Sequence, residues 1–211
     1  MPVETSTGVT TAVVTSPSSS TRATRDPLDE FFEIINGTTQ SSQAGSFSNP
    51  YSIGETATFD GYDTLFDPFR ADVSVQEVFR GPQALQMVKD ASSLNPEPRS
   101  GQEYMVAQVL VKITASLNGE SVGVSPYFFS LARQDGRMYG DVTLFRAIPP
   151  VLSTINVGET SIGYICFQVD KDDEDPFIVF LSRAHGGIWF HTSELRSESG
   201  PDVTTSFRSK D

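Results

Sequence analysis

In this 211-residue chain the side chains that could serve as a base, a nucleophile or a metal ligand are few: two histidines, one cysteine and one run of acids. His185 and His191 are the residues able to act as a base near neutral pH, and they bracket a strand-like segment, Gly187-Ile188-Trp189-Phe190. Six positions apart on extended backbone, they share a face but stand about 20 Å from each other. That is too far for one metal ion, so both are expected to be structural or surface residues. Cys166 lies in Ile162-Gly163-Tyr164-Ile165-Cys166-Phe167, among apolar neighbours and no cationic ones. A reactive thiolate needs an electropositive, partly open setting, so the expected role is that of a small buried hydrophobe. With a single cysteine there is no internal disulfide.

The run Asp170-Lys171-Asp172-Asp173-Glu174-Asp175-Pro176 is the best candidate for a cation. Calcium prefers clustered oxygens, and Asp172, Asp173 and Asp175 are the candidate ligands, but the central Gly and distal Glu of the known twelve-residue loop are missing. The expectation is a solvated hairpin tip, with a ligand- or divalent-cation-binding turn at 170–175 as the alternative function. No Gly-rich phosphate loop, G-x-S-x-G, H-E-x-x-H or cysteine pair occurs. The chain is therefore read as non-enzymatic, with no catalytic residue and no cofactor expected.

Charge narrows the classes further. Against 27 acids stand 15 bases, a formal net charge of −12, and no stripe of Lys and Arg with interleaved aromatics appears. Phosphate backbones are repelled by such a surface, which argues against nucleic acid. The same holds for anionic membrane surfaces. No apolar run approaches the ~18 residues a transmembrane helix needs, and the start Met-Pro-Val-Glu lacks the basic opening and apolar centre of a secretory signal.

What would position these groups is a set of strands. Residues 1–25, of which twelve are Ser or Thr, read as a disordered leader, because this composition cannot bury enough apolar surface to offset the entropy of ordering. Residues 26–37 carry a short amphipathic helix, with Leu28, Phe31, Phe32 and Ile35 at helical spacing behind Asp26-Pro27. A linker at 38–46 follows, then a domain over 47–193 and a polar tail over 194–211. Within the domain, residues 69–80 alternate Ala71, Val73, Val75 and Phe79 on one side with Asp72, Ser74 and Gln76 on the other. Gly81-Pro82 opens a helix whose Ala84, Val88 and Ala91, with Leu85 or Leu94, form one stripe, stopped by Asn95-Pro96. The strand at 103–115 puts Met105, Ala107, Val109, Val111 and Ile113 on one face. Further strands are expected at 56–60, 127–133, 137–144, 161–170, 177–183 and 187–191, with Asp135-Gly136 as a hairpin signal. The fold class is mainly β, an antiparallel sandwich with one short inserted helix plugging one end.

The succession NPYSIGE, VQEVFRGPQALQMVKDASSLNPEPRSGQEYMVAQVLVKI, then NVGETSIGYICFQVD followed by FIVF, resembles the immunoglobulin-like, telokin-like domain of unknown function found in lipoproteins and secreted proteins of Gram-positive bacteria. It is similar also to the mycobacterial immunoprotective antigen. The resemblance spans about residues 47–192. It implies an immunoglobulin-like sandwich in the cell envelope or secreted fraction, with the Ser/Thr leader as a stalk; a cytoplasmic home is the alternative. The function implied is a binding or display module whose partner is another envelope protein. Of the aromatics, Tyr127, Phe128 and Phe129 are consecutive, so in a strand one ring must face away from the core. Phe31, Phe32, Phe66 and Tyr127 are the expected protein contacts.

Overall fold

The computed structural model describes residues 44–62, 67–117, 119–181 and 187–193. The leader over 1–25, the helix over 26–37 with Phe31 and Phe32, Phe66, His185 and the tail over 194–211 lie outside those residues. Apolar alternation builds the larger layer. Strand β2 (Pro68–Arg80) pairs antiparallel with β3 (Gln102–Ser116), and Ala71, Val73 and Val75 stand opposite Ile113, Val111 and Val109. These six side chains are fully buried. Strand β1 (Ala57–Tyr62) adds on one flank and β7 (Thr160–Asp170) on the other, giving the order β1-β2-β3-β7.

A bulge at Gln76 changes which face the rest of β2 presents. The register slips between Val75 and Glu77, so that Val78 pairs with Ala107 and Phe79 with Val106. One extra residue reverses the inside-outside parity. Val78 therefore joins the inner core, and Phe79, expected beside Val75, lies on the outer face instead.

That outer face is where the helix sits. Helix α1 (Gly81–Ala91) lays Ala84 and Val88 against Tyr104 and Val106 of β3, together with Ile148. It covers the sheet rather than plugging the end of the sandwich, and Leu94, one option for its stripe, is 69% exposed. Gly81 starts it from φ +60°, a left-handed conformation that costs any residue with a Cβ. Buried Asn95 secures the far end: its Nδ2 donates to the Val88 and Arg146 carbonyls at 2.8 and 2.9 Å, and its Oδ1 accepts from Arg146 N at 2.9 Å.

The smaller layer is β5 (Phe129–Ala132), β8 (Phe177–Phe180) and β9 (Ile188–His191), antiparallel in the order β5-β8-β9. Phe180, fully buried, sits 4.9 Å from Phe129 and 5.3 Å from Phe59 between ring centroids, joining the layers by the tilted and edge contacts that aromatic rings prefer. Residues 45–51 close the β9 edge: Trp189 N donates to Gly45 O, Tyr51 N to Trp189 O and His191 N to Tyr51 O, with a parallel bridge from Tyr51 to Phe190. Part of the expected linker is thus paired to the sheet. Two three-residue strands not expected from the sequence, β4 (Ser121–Gly123) and β6 (Thr154–Asn156), form a ladder with Val122 and Ile155 buried.

Two expected strands differ. Residues 137–144 form none: Met138 makes a single bridge to Ala132, after which the chain leaves the ladder and packs Val142 and Leu144 beside α1. The segment forms a one-sided cover instead, half-burying Tyr139, Val142 and Leu144 and leaving the residues between them exposed. The strand expected from 127 begins instead at Phe129, because Pro126–Phe128 is a 3-10 turn whose entry Ser125 caps through Tyr127 N. The turn re-aims the three rings, so Phe128 and Phe129 are both buried and Tyr127 is 75% exposed.

Candidate functional site

Strand ends that are far apart in sequence meet at one pole of the sandwich. β2 ends on Arg80, β3 opens with Gln102 and Glu103, β5 is followed by Arg133, and β7 ends on Asp170, which pairs with Gln102 across the ladder. Because β7 belongs to one layer and β8 to the other, the acidic run between them is a crossover rather than a hairpin tip. Its carbonyls face Arg80, whose Nη1 donates to Asp173 O and Glu174 O at 2.8 and 3.2 Å while Nε donates to Glu103 Oε1 at 2.9 Å. A guanidinium is suited to this, since its fixed fork serves several acceptors at once.

The carboxylates of the run are largely engaged. Asp170 accepts from Gln102 Nε2 at 2.9 Å and from Arg133 Nη1; these two hydrogen bonds, Gln102 first, hold its carboxyl below the usual range. Asp173 accepts from the Tyr139 hydroxyl at 2.6 Å. Burial, followed by that bond, pushes the Tyr139 phenol well above its ordinary value. The Arg133 guanidinium lies 4.1 Å from the Tyr139 ring centroid. Of the three candidate cation ligands only Asp172 is exposed and free of side-chain hydrogen bonds among the described residues, and among them no three His, Cys, Asp or Glu side chains converge as a metal would need.

Asp175 is the hub of a second cluster. It accepts from Ser193 Oγ at 2.8 Å and from Thr192 Oγ1 at 3.4 Å, and His191 Nδ1 lies 3.3 Å from its other oxygen. Serine, histidine and aspartate are therefore neighbours, but wired differently from a hydrolase triad. There the serine hydroxyl donates to the histidine so that the base can take its proton; here Ser193 donates to the carboxylate. The His191 ring packs 5.4 Å from Phe177. Cys166 lies on the outer face of β7, in the cluster beneath α1, and burial pushes its thiol up to about 12.

Tyr139 stands between two hollows. On the side of Arg133, Arg137, Asp172 and Glu174 lies an open basin of about 500 Å³. On the other, a deeper cleft of about 250 Å³ is formed by the 96–102 turn, the start of β3, Gln168 of β7 and the 139–143 coil. Gln102 lines the cleft and carries the one buried side-chain atom among the described residues with no hydrogen-bond partner, its Oε1.

The structure brings Asp173 and Asp175 into the fold's own hydrogen bonds and leaves Tyr127 on the surface. Arg80, Arg99, Gln102, Arg133 and Tyr139 were not singled out from the sequence. The available signal was weak: Arg80 and Arg133 each punctuate the end of an apolar run, and nothing local tells that these ends adjoin.

Over the described residues the molecule is thus a mainly β, antiparallel, sandwich-like protein with one α-helix. No family model and no curated protein matches the chain. Two solved structures share part of its trace. One is a candidate lipoprotein, ycdA, from Bacillus subtilis subsp. subtilis str. 168, at 18% identity and TM-score 0.40, over 59% of this chain and 32% of that one. The other is a conserved hypothetical protein from Bacillus anthracis, at 12% identity and TM-score 0.42, over 68% and 95%. The chain spans about a third of the length of the ycdA protein. At these scores neither likeness bears on function. Among the described residues no helix is long and apolar enough to cross a membrane.

Proposed function

We propose that the chain is an immunoglobulin-like, non-enzymatic binding or display module of the bacterial envelope or secreted fraction, and that it takes its protein partner along the edge of β1. The strand pairing supports the immunoglobulin-like assignment. β3 pairs with β7 in one sheet, β5-β8-β9 form the other, and the segment before β1 runs parallel to the last strand. The first two features correspond to the B–E and C–F–G pairings of that fold. The Ser/Thr leader supports the envelope assignment as a spacer. A non-catalytic role is supported by the buried, high-pKa thiol of Cys166 and by the Ser193 proton directed to Asp175.

The observation that carries the partner reading is the state of the sheet edges. The β9 edge is taken by residues 45–51, the β5 edge by Arg133, Arg137 and Tyr139, and the β7 edge is met at Tyr164 by Pro150 O. On β1, residues 57–61 have β2 on one side and no backbone partner on the other among the described residues. An extended peptide can add there as a further strand, its main chain supplying affinity. A photo-crosslinker replacing Thr58 is expected to capture one envelope protein, and the amides of 57–61 are expected to exchange more slowly in that complex. Equal capture from Leu94, or unchanged exchange, would overturn the reading. The acidic turn is the weaker alternative, because Asp170, Asp173 and Asp175 already accept hydrogen bonds from the protein.

A further inference from the structure

The cleft beside Tyr139 has a charge arrangement of its own. Glu97, on its rim, is neutralised by Lys89 at 2.9 Å. Arg99 and Asp141 both line the cleft, and among the described residues no ion pair or hydrogen bond engages either side chain, although the Arg99 backbone N donates to Gln168 Oε1 at 3.3 Å. One cation and one anion thus share a small concavity unpaired, in a molecule where the other arginines of this pole, Arg80, Arg133 and Arg137, are each matched to a carboxylate.

We propose that this cleft binds a small zwitterion, an ammonium carboxylate of free amino-acid size. The carboxylate end meets the Arg99 guanidinium, which matches it bidentately. The ammonium end meets Asp141. Tyr139 sets the wall between them: Asp173 holds its hydroxyl and Arg133 occupies one ring face, so the opposite face is the one left to the ligand. A ring face of this kind also favours a cation. The cleft's size fits, since its roughly 250 Å³ falls just below the ~300 Å³ at which sites for larger organic ligands begin. The inference is independent of strand addition at β1, and either can fail alone.

Saturation-transfer NMR on the full chain, with glycine, alanine, glutamate and lysine as probes, tests it. Binding of at least one is expected, weakened about tenfold or more by Arg99→Ala and by Asp141→Asn, the scale of one lost charge-assisted hydrogen bond. Both residues are on the surface, so folding is expected to be unaffected, which far-UV circular dichroism checks. The amide and the N-acetyl derivative of the binding amino acid, each lacking one charge, are expected to bind correspondingly worse. Asp172→Asn, in the neighbouring basin, is expected to leave binding unchanged. No transfer to any of the four probes at concentrations of about 10 mM, well above a typical metabolite-site affinity, would overturn the proposal. So would derivatives that bind as well as the parent, or an Asp172→Asn effect as large as that of Asp141→Asn.

Discussion

Asp170 shows how one side chain couples the two layers of the sandwich. It sits at the end of β7, accepts from Gln102 on the neighbouring strand and from Arg133 beyond β5 in the opposite sheet. Both donors favour the ionised carboxylate, so its folded pKa is depressed. For a depressed carboxyl the stabilisation is present above the unfolded value of about 3.9 and is lost as pH falls through the folded pKa. Asp170→Asn, which cannot ionise, should therefore be less stable than the natural chain near neutral pH, and the gap should close in acid. Urea midpoints at about pH 7 and about pH 3, on either side of the unfolded carboxyl, measure it. A gap of the same size at both would mean that packing, not charge, explains the loss. Nothing local signals this role, since Gln102, Arg133 and Asp170 are separated by 31 and 37 positions and meet only through the fold.

The elements themselves divide into those that local pattern reveals and those that tertiary context decides. Long half-buried strands announce themselves by alternation, and β3 has the inner face its residues suggest. The face of Phe79 was not legible, because a bulge at Gln76 leaves no mark on hydrophobic period until the partner register is known. For residues 137–144 the apolar pattern was real and its cause different, half-burial in a one-sided cover instead of pairing. That cover and helix α1 are tied together by Asn95, which gives the element scale its test. Asn95→Ala removes three hydrogen bonds and leaves the Val88 and Arg146 carbonyls without this donor. At about 1 kcal/mol for each net bond, and more where a buried acceptor is left unmade, the expected loss is about 2–4 kcal/mol. Denaturant titration reads it, and Asn95→Asp, which keeps the Oδ1 acceptor for Arg146 N but turns a second carboxylate oxygen toward the Val88 and Arg146 carbonyls in a buried site, should lose at least as much. Equal stability of Asn95→Ala and the natural chain would show that water replaces the clamp freely.

At the scale of the whole molecule, a net charge of −12 sets up two responses to cations that must be separated. Self-repulsion among excess acids weakens any compact state, and dissolved salt relieves it by screening, without a site. A site would add to that. The acidic crossover is the natural place to look, and its wiring argues for screening alone: Asp170, Asp173 and Asp175 accept from Gln102, Tyr139 and Ser193, while Arg80 covers the carbonyls of Asp173 and Glu174. A calcium ion would have to displace these donors and sit beside two guanidinium groups, those of Arg80 and Arg133. The sequence, read without partners, presented the same run as open oxygens, because the residues that occupy them come from β2, β3, the 139–143 coil and the chain just after β5 and β9. Calcium at about 5 mM is therefore expected to raise the melting temperature no more than sodium chloride of equal ionic strength. A specific site a hundredfold saturated would stabilise by about 2.7 kcal/mol, or roughly 11–22 °C for a domain of 60–100 residues and about 5–11 °C for one of about 150–250 residues. A calcium-specific rise of that size, abolished by Asp173→Asn, would restore the crossover as a cation site and displace strand addition at β1 as the leading account of what the molecule binds.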